Sequence, residues 1–202
     1  ASRILRVKGK VIPVTLDNVR LHAELEDGTL VSGETNIDIP KHDGRLKISR
    51  VWIEPEAEIN RRAGDAIKNA DLVVIGPGDL YTSLIPNLLV SGMKEALKKS
   101  RAKKVFVVNL MTKWGETAGF SASDFLASIE KYLGKGVLDY IVVNNKRPPV
   151  ERARHYEKEN AEFIEPGNLP AKPLPVFGDY LRGRGFVRHD PEKLAKILVS
   201  LI

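Results

Sequence analysis

The chain has 202 residues, a formal net charge of +6, 43% hydrophobic and 29% charged residues, and no cysteine. This composition predicts one folded domain with a sizeable core and excludes a disordered chain. The lack of cysteine excludes disulfides and thiolate metal sites. No apolar run could span a bilayer and no export leader is seen, so we expect a cytoplasmic protein with no membrane partner.

Residues 1–55 alternate apolar and polar side chains, which predicts antiparallel β-hairpins forming a small lobe. Strands are expected within 8–16, 19–37 and 45–55, and the Asp27-Gly28 pair predicts a hairpin turn. The chain opens "ASRILRVKGKVIPV" without a methionine, so we also expect a fragment of a larger protein.

Residues 56–202 alternate strand and helix patterns, which predicts a three-layer α/β fold with a mostly parallel sheet, continuous with the lobe. The predicted strands are "DLVVI", "KVFVVNL", "LDYIVVN" and the shorter "EFIEP" and "PLPVF". The predicted helices are "AGDAIKNA", "GMKEALKKS", "SASDFLASIEKYLG", "PPVERARHYEKEN" and "HDPEKLAKILVSLI". Ser121 with Asp124 predicts a capping box, and Asp190 predicts an N-cap.

Loops after three of these strands are rich in glycine, amides, hydroxyls and cations. If the strands are parallel, these loops share the sheet edge at which α/β folds bind ligands. Glycine lets the backbone approach a ligand, so they predict a ligand cleft. The candidate residues are Gly76, Pro77, Gly78, Asp79, Tyr81, Thr82, Ser83, Asn109, Thr112, Glu116 and Asn144.

Several of these residues have a structural alternative. The glycine pair also suits a tight turn, and Asp79 suits a helix cap, the favoured interpretation, or a Mg²⁺ ligand. Asn109 and Asn144 suit turn formation or ligand recognition equally. Glu116 has no visible partner in the sequence, so catalytic residues remain unknown. Tyr81 and Trp114 suit core packing or stacking on a base.

Other features of the sequence indicate no metal site and no nucleic-acid site. The four histidines are not spaced for a metal, and His189 suits either a capping neighbour or a site residue. The single "RGRG" at 182–185 indicates a basic turn more than an RNA-binding motif. The positive charge favours anionic ligands in general, and nucleic acid is not expected as a partner.

Three motifs in this order, "GPGDLYTSLIPNLLVSGM", "NLMTKWGETAGFSASDF" and "VRHDPEKLA", resemble the CofD/YvcK-like family, also called gluconeogenesis factor or UPF0052 proteins. The match is better to the YvcK-like branch, and "RILRVKGKVIPVTLDNVRLHAELEDGTLV" extends it over essentially the whole chain. The resemblance implies a Rossmann-like nucleotide-binding domain.

In the YvcK-like branch the implied ligand is a UDP-sugar such as UDP-N-acetylglucosamine. The implied role lies in carbon-source adaptation and cell shape or envelope synthesis, without an established reaction. The alternative branch implies a 2-phospho-L-lactate transferase that uses Mg²⁺, a nucleotide-activated donor and a deazaflavin. No other cofactor is implied, and a homodimer is the default expectation.

Carried over by position, the resemblance implies that residues 76–83 line the cleft with Asn109, Thr112 and Glu116, and that Tyr156 and Arg188 bind the UDP-sugar. A guanidinium such as that of Arg188 suits phosphate by charge and fork geometry. The chain has Lys113-Trp114 where the family usually has Gln-Pro. It has Phe125 where the family often has His, and Asp79 where the family often has Ser. It also lacks the family's "GGGTG" and "DDGGS" stretches.

Overall fold

The computed structural model describes residues 9–202, and its first part is a small antiparallel lobe. The lobe contains β1 (Arg20–Leu25), β2 (Leu30–Ser32), α1 (Glu34–Asp38) and β3 (Ile48–Glu54), with strand order β2-β1-β3. The predicted turn joins β1 to β2, and the Asp27 side chain accepts a hydrogen bond from the Thr29 amide at 2.9 Å. The predicted antiparallel lobe is therefore confirmed.

Two predictions for the lobe are wrong. Residues 9–16 form no strand, and residue 8 lies outside the described residues. This segment instead offers the carbonyls of Pro13 and Val14 to the Asn60 side chain and amide, which ties it to the start of the next helix. Residues 34–37 are helical rather than extended, because Gly33 takes φ +93° and ends β2.

The second part is a four-stranded parallel sheet. Its strands are β4 (Leu72–Ile75), β5 (Lys103–Val107), β6 (Tyr140–Asn144) and β7 (Leu174–Gly178), in the order β4-β5-β6-β7. The register pairs Ile75 with Phe106 and Asn144 with Gly178, so the carboxyl ends meet at one edge. The "PLPVF" strand is confirmed, whereas "EFIEP" forms only a single bridge between Phe163 and Met111.

Six further helices belong to this part: α2 (Arg61–Lys68), α3 (Ile85–Leu89), α4 (Met93–Lys99), α5 (Ala122–Leu133), α6 (Val150–Glu157) and α7 (Pro191–Val199). A π-helical turn, Leu80–Leu84, runs directly into α3. The predicted capping box of Ser121 and Asp124 begins α5, and the Asp190 side chain caps α7. None of the helices within residues 9–202 has the length and apolar character required to cross a membrane.

Helices cover both faces of the parallel sheet. Phe106 and Ile141 lie in the larger core with Phe125 and Ile129 of α5, and Leu25 of the lobe belongs to the same core. On the opposite face, β5 and β6 pack with α7 through a second cluster of Val105, Val107, Val142, Leu194, Ile197 and Leu198. The predicted three-layer, Rossmann-like α/β fold is therefore confirmed, and the lobe shares the main core.

Candidate functional site

The turn after β4 packs directly against the backbone of the neighbouring strand β5. Gly76 has φ +84°, and a Cβ there would lie 2.7 Å from the carbonyl oxygen of Val107. A Cβ at Gly78 would lie 3.1 Å from the Leu84 side chain, and the Gly78 amide donates to Oδ1 of Asn109 at 3.0 Å. The turn therefore needs glycine at 76 for backbone packing, and Asn109 joins the loops after β4 and β5.

A cleft of about 570 Å³ opens beside this turn at the carboxyl edge of the sheet, and we call it the first cleft. It receives residues from the turn after β4, the segment after β5, helix α6 and the segment before α7. Its lining residues are Pro77, Gly78, Asp79, Asn109, Leu110, Met111, Tyr156, Val187, Arg188 and His189. Such a mixture of apolar walls and a few polar groups is typical of small-molecule sites.

A second cleft of about 570 Å³ adjoins the first and shares Asp79, Met111 and Tyr156 with it. Its other lining residues include Asp38, Pro40, Thr112, Lys113 and Trp114, so the lobe forms one of its walls. The candidate site therefore extends from Arg188 to the lobe, with Asp79 and Tyr156 in the middle.

Three carboxylates converge on one ammonium group at the junction of the two clefts. Nζ of Lys113 lies 2.8 Å from Oδ2 of Asp79 and 3.4 Å from Oε1 of Glu116, and it also pairs with Asp38. Burial lowers the pKa of Lys113, but the hydrogen bonds to Asp38 and Asp79 outweigh this and hold the pKa above its usual range. Lys113 therefore stays charged and links the lobe to both loops.

The Mg²⁺ that the transferase branch implies does not fit this arrangement. One oxygen from each of Asp38, Asp79 and Glu116 lies within 4.8 Å of the others, which by itself is metal-like spacing. The Lys113 ammonium occupies the space among them, and a divalent cation there would face a like charge at close range. Lysine supplies the positive charge that these carboxylates require.

The predicted cap at Asp79 is wrong. Its side chain makes no capping hydrogen bond to the π-helical turn and pairs with Lys113 instead. A charged donor at 2.8 Å is a stronger partner for a carboxylate than a backbone amide, so the ion pair prevails over the cap.

Glu116 has the partners that its sequence neighbourhood did not reveal. It is 2% exposed and accepts hydrogen bonds from the Tyr81 amide at 2.9 Å and the Thr82 hydroxyl at 2.8 Å. Burial raises its pKa, while these hydrogen bonds and the Lys113 charge oppose the rise. Tyr81 and Thr82 are thus buried beneath the clefts, and Ser83 is exposed outside both.

Asn144 and Thr112 support the loops through backbone contacts. The Asn144 amide group accepts from the Tyr180 amide at 2.9 Å and donates to the Lys146 carbonyl at 2.8 Å. The Thr112 hydroxyl accepts from the Glu162 amide at 2.8 Å. Both side chains are buried, and these polar groups hydrogen-bond to the backbone of neighbouring loops.

Arg188 and Tyr156 both line the first cleft, and His189 joins them there. Arg188 is exposed and its guanidinium lies 5.8 Å from the Phe186 ring centroid. Burial lowers the pKa of His189 to about 4, and its Nε2 has no hydrogen-bond partner among the described residues. In the sequence, its position between Arg188 and Asp190 left a capping neighbour and a site residue as equal interpretations.

Comparison with known proteins supports the resemblance. The model of a family described as 2-phospho-L-lactate transferase CofD matches residues 1–174. The gluconeogenesis factor of Bacillus subtilis is 41% identical over 206 residues, covering 100% of this chain and 64% of that protein. The gluconeogenesis factor of Halalkalibacterium halodurans is 41% identical over 204 residues, covering 98% of this chain and 62% of that protein.

A solved structure has the same fold. The crystal structure of a UPF0052 family protein from Bacillus halodurans superposes with a TM-score of 0.87 at 37% identity, covering 98% of this chain and 64% of that one. The chain therefore spans less than two thirds of the length of these relatives.

Proposed function

Because the chain belongs to the CofD family and matches proteins named gluconeogenesis factor along nearly its whole length, we propose that it is the nucleotide-sugar-binding part of such a factor. The proposed ligand is a UDP-sugar resembling UDP-N-acetylglucosamine. The proposed role is regulatory, in carbon metabolism and cell shape or envelope synthesis, in the cytoplasm and without turnover.

The observation that carries this proposal is the meeting of the glycine turn, Asn109 and Arg188 in the first cleft. The glycine turn brings Pro77 and Gly78 to the cleft wall, and the exposed Arg188 offers a planar, permanently charged fork that suits a diphosphate. The side-chain oxygen of Asn109 accepts a hydrogen bond from the Gly78 amide, and the Nδ2 group of the same side chain can donate to a ligand.

The transferase alternative is favoured by the description of the matching family, but the charge arrangement weighs against it. A Mg²⁺-dependent reaction needs carboxylates free to hold the metal, and those at the cleft junction are paired with Lys113. Binding of the proposed UDP-sugar therefore should not require a divalent cation.

The test is calorimetric titration of UDP-N-acetylglucosamine into the full-length protein and its Arg188→Ala variant, each in EDTA and in Mg²⁺. We expect saturable binding by the wild type in both buffers and at least about a tenfold loss in the variant, as for one charge-assisted contact. Arg101→Ala is the control, since Arg101 is an exposed arginine before β5, at the opposite sheet edge.

Two outcomes would contradict the proposal. Binding of a guanine nucleotide or deazaflavin in place of the UDP-sugar, and only with Mg²⁺, would favour the transferase. Binding to oligonucleotides that weakens steeply with salt, without discrimination among sugars, would favour a nucleic-acid function.

A further inference from the structure

The segment that carries Arg188 is anchored by the buried side chain of Val187, whereas residues 182–186 before it are exposed. The segment begins after Leu181, which forms an antiparallel β-bridge with His189. Within it, the Arg182 amide donates a hydrogen bond to the Arg188 carbonyl at 2.9 Å. We call residues 182–188 the arginine loop. A Cβ added at Gly183 or Gly185 would meet nothing within 4 Å, so much of this loop lies in open space.

One arginine from helix α6 contacts the loop backbone at three carbonyls. Arg152 donates from Nε to the Gly185 carbonyl at 2.7 Å, from Nη1 to the Arg182 carbonyl at 2.8 Å and from Nη2 to the Phe186 carbonyl at 2.7 Å. Each of the three guanidinium nitrogens thus has a different carbonyl partner. A lysine could not reproduce this geometry, because its ammonium is a compact point charge.

Tyr156, four residues further along α6, holds the end of the same loop. Its hydroxyl donates to the Val187 carbonyl at 3.3 Å and accepts from the Val187 amide at 3.1 Å. Residues four apart lie on one face of a helix, so Arg152 and Tyr156 approach the loop from the same side. The donor of the Tyr156 hydroxyl is therefore already in use next to Arg188.

We infer that Arg152 and Tyr156 form a clamp that fixes the arginine loop and so places Arg188 in the first cleft before ligand arrives. Both are positioning residues, and Tyr156 acts through its grip on Val187 rather than through a hydroxyl contact to the ligand. This inference rests on the proposed function, because it concerns how the Arg188 guanidinium is presented to the nucleotide-sugar. Fixing a loop beforehand improves affinity, since binding then costs less ordering of the loop.

A double-mutant cycle separates positioning from contact. UDP-N-acetylglucosamine is titrated into the wild-type full-length protein and into the variants Tyr156→Phe, Arg152→Ala and Arg188→Ala, alone and combined. We expect Arg152→Ala to weaken binding about tenfold and Tyr156→Phe about threefold, with little further effect of either in the Arg188→Ala background.

Matched variants control for charge and folding. Arg154→Ala removes an equal charge from an exposed position on the same helix and should leave affinity unchanged. Arg152→Lys keeps the charge but loses the three-carbonyl fork, and should bind as weakly as Arg152→Ala. Full additivity of Tyr156→Phe with Arg188→Ala would overturn the clamp and make Tyr156 a direct ligand contact.

Hydrogen exchange tests the clamp without a ligand. Arg152→Ala should speed exchange of the hydrogen-bonded amides of Arg182 and Val187, and Tyr156→Phe should speed that of Val187, whereas Arg154→Ala should change neither. Unchanged exchange in the first two variants would overturn the clamp. No UDP-sugar binding by the wild type would instead overturn the proposed function, and exchange would still decide the clamp.

Discussion

A lysine side chain satisfies three carboxylates that lie far apart in the sequence. Lys113 joins Asp38 of α1, Asp79 after β4 and Glu116 after β5, and its own side chain is 28% exposed. With this ammonium removed, three carboxylates would face one another in a partly buried site. That geometry makes Lys113 a structural cation and suggests a direct substitution test.

Lys113→Met keeps much of the side-chain volume but removes the charge. We expect the free energy of unfolding to fall by about 1–3 kcal/mol, because the carboxylates lose their partner in a partly exposed site. Millimolar Mg²⁺ should then stabilise the variant but not the wild type, since only the variant leaves room for the ion. Thermal unfolding with and without Mg²⁺ measures both effects.

Lys99→Met, at an exposed position near the end of α4, is the control for losing one lysine. If Lys113→Met were as stable as this control and indifferent to Mg²⁺, the carboxylates would not depend on Lys113.

His189 predicts how stability changes in weak acid. Its pKa is lowered by burial from 6.5 to about 4, so between these values the unfolded chain binds a proton that the native chain does not. Its contribution to stability is therefore present above pH 6.5 and is lost as pH falls toward 4. At about 1.4 kcal/mol per pKa unit, the loss amounts to about 1–3 kcal/mol after allowing for partial exposure.

Urea unfolding of the wild type and His189→Asn at pH 7, 5.5 and 4 isolates this contribution. The variant should lose less stability between pH 7 and 4 than the wild type does. His155→Asn, on an exposed position of α6, should follow the wild type. Parallel pH profiles for the wild type and His189→Asn would show that burial does not lower the pKa of this histidine.

The turn that connects β4 to the following π-helical turn has to satisfy two separate structural requirements. Gly76 meets a backbone oxygen of β5, and two residues later the Gly78 amide faces Asn109. The first contact is a packing constraint and the second belongs to the candidate cleft. The tight-turn interpretation of the glycine pair is therefore supported at Gly76, and close approach of the backbone to a ligand stays a prediction for Gly78.

Gly76→Ala should lower the free energy of unfolding by about 2–4 kcal/mol, because the new Cβ meets the Val107 carbonyl and alanine disfavours φ +84°. Gly136→Ala is a matched control, since Gly136 has φ +75° but open space around the added Cβ. It should cost only about 1 kcal/mol, for the backbone conformation alone. If urea unfolding gave equal losses in the free energy of unfolding for Gly76→Ala and Gly136→Ala, the contact between the new Cβ and β5 would have no energetic cost.

The sequence was informative wherever local patterns determine structure. Strand–helix alternation identified the parallel sheet, and the box at Ser121 and the cap at Asp190 were correct because they depend on residues within three positions. The strand predicted at 8–16 is absent over the described residues 9–16, where Asn60, more than forty residues away, takes the carbonyls of Pro13 and Val14.

The candidate site was harder to predict from the sequence, because its contacts also join residues that are far apart in the chain. Polar residues that follow strands were correctly placed at one edge, but ligand-facing and bracing residues have the same composition. Asn144 braces Tyr180 and Thr112 braces Glu162, and both partners lie more than thirty residues away. The role of Arg152 depends on carbonyls about thirty residues downstream, so no local motif could indicate it.

At the scale of the whole molecule, the lobe and the parallel sheet are built on one core. Leu21, Ala23 and Val51 of the lobe lie in the same buried cluster as Phe106 and Phe125. The Tyr132 hydroxyl of α5 also accepts a hydrogen bond from the Val51 amide at 2.9 Å. A boundary near residue 55 would therefore divide a continuous apolar interior.

This shared core predicts a single unfolding transition. The chain has two tryptophans, Trp52 in the lobe and Trp114 after β5, so Trp52→Phe and Trp114→Phe each leave one fluorescent reporter. Within each variant, urea unfolding followed by fluorescence should coincide with that followed by circular dichroism. A lobe that unfolds separately would give an earlier fluorescence transition in Trp114→Phe.

The contact between the lobe and the loop after β5 also constrains how this sequence can vary. A Cβ at Gly44 would lie 2.3 Å from the Trp114 indole, and one at Gly115 would lie 2.4 Å from the Pro40 ring. A side chain at 44 therefore requires the Trp114 indole to move or to be replaced by a smaller residue, and a side chain at 115 requires the same of the Pro40 ring. The tolerance of the lobe to substitution at 40 and 44 is therefore set by residues about seventy positions away in the loop after β5.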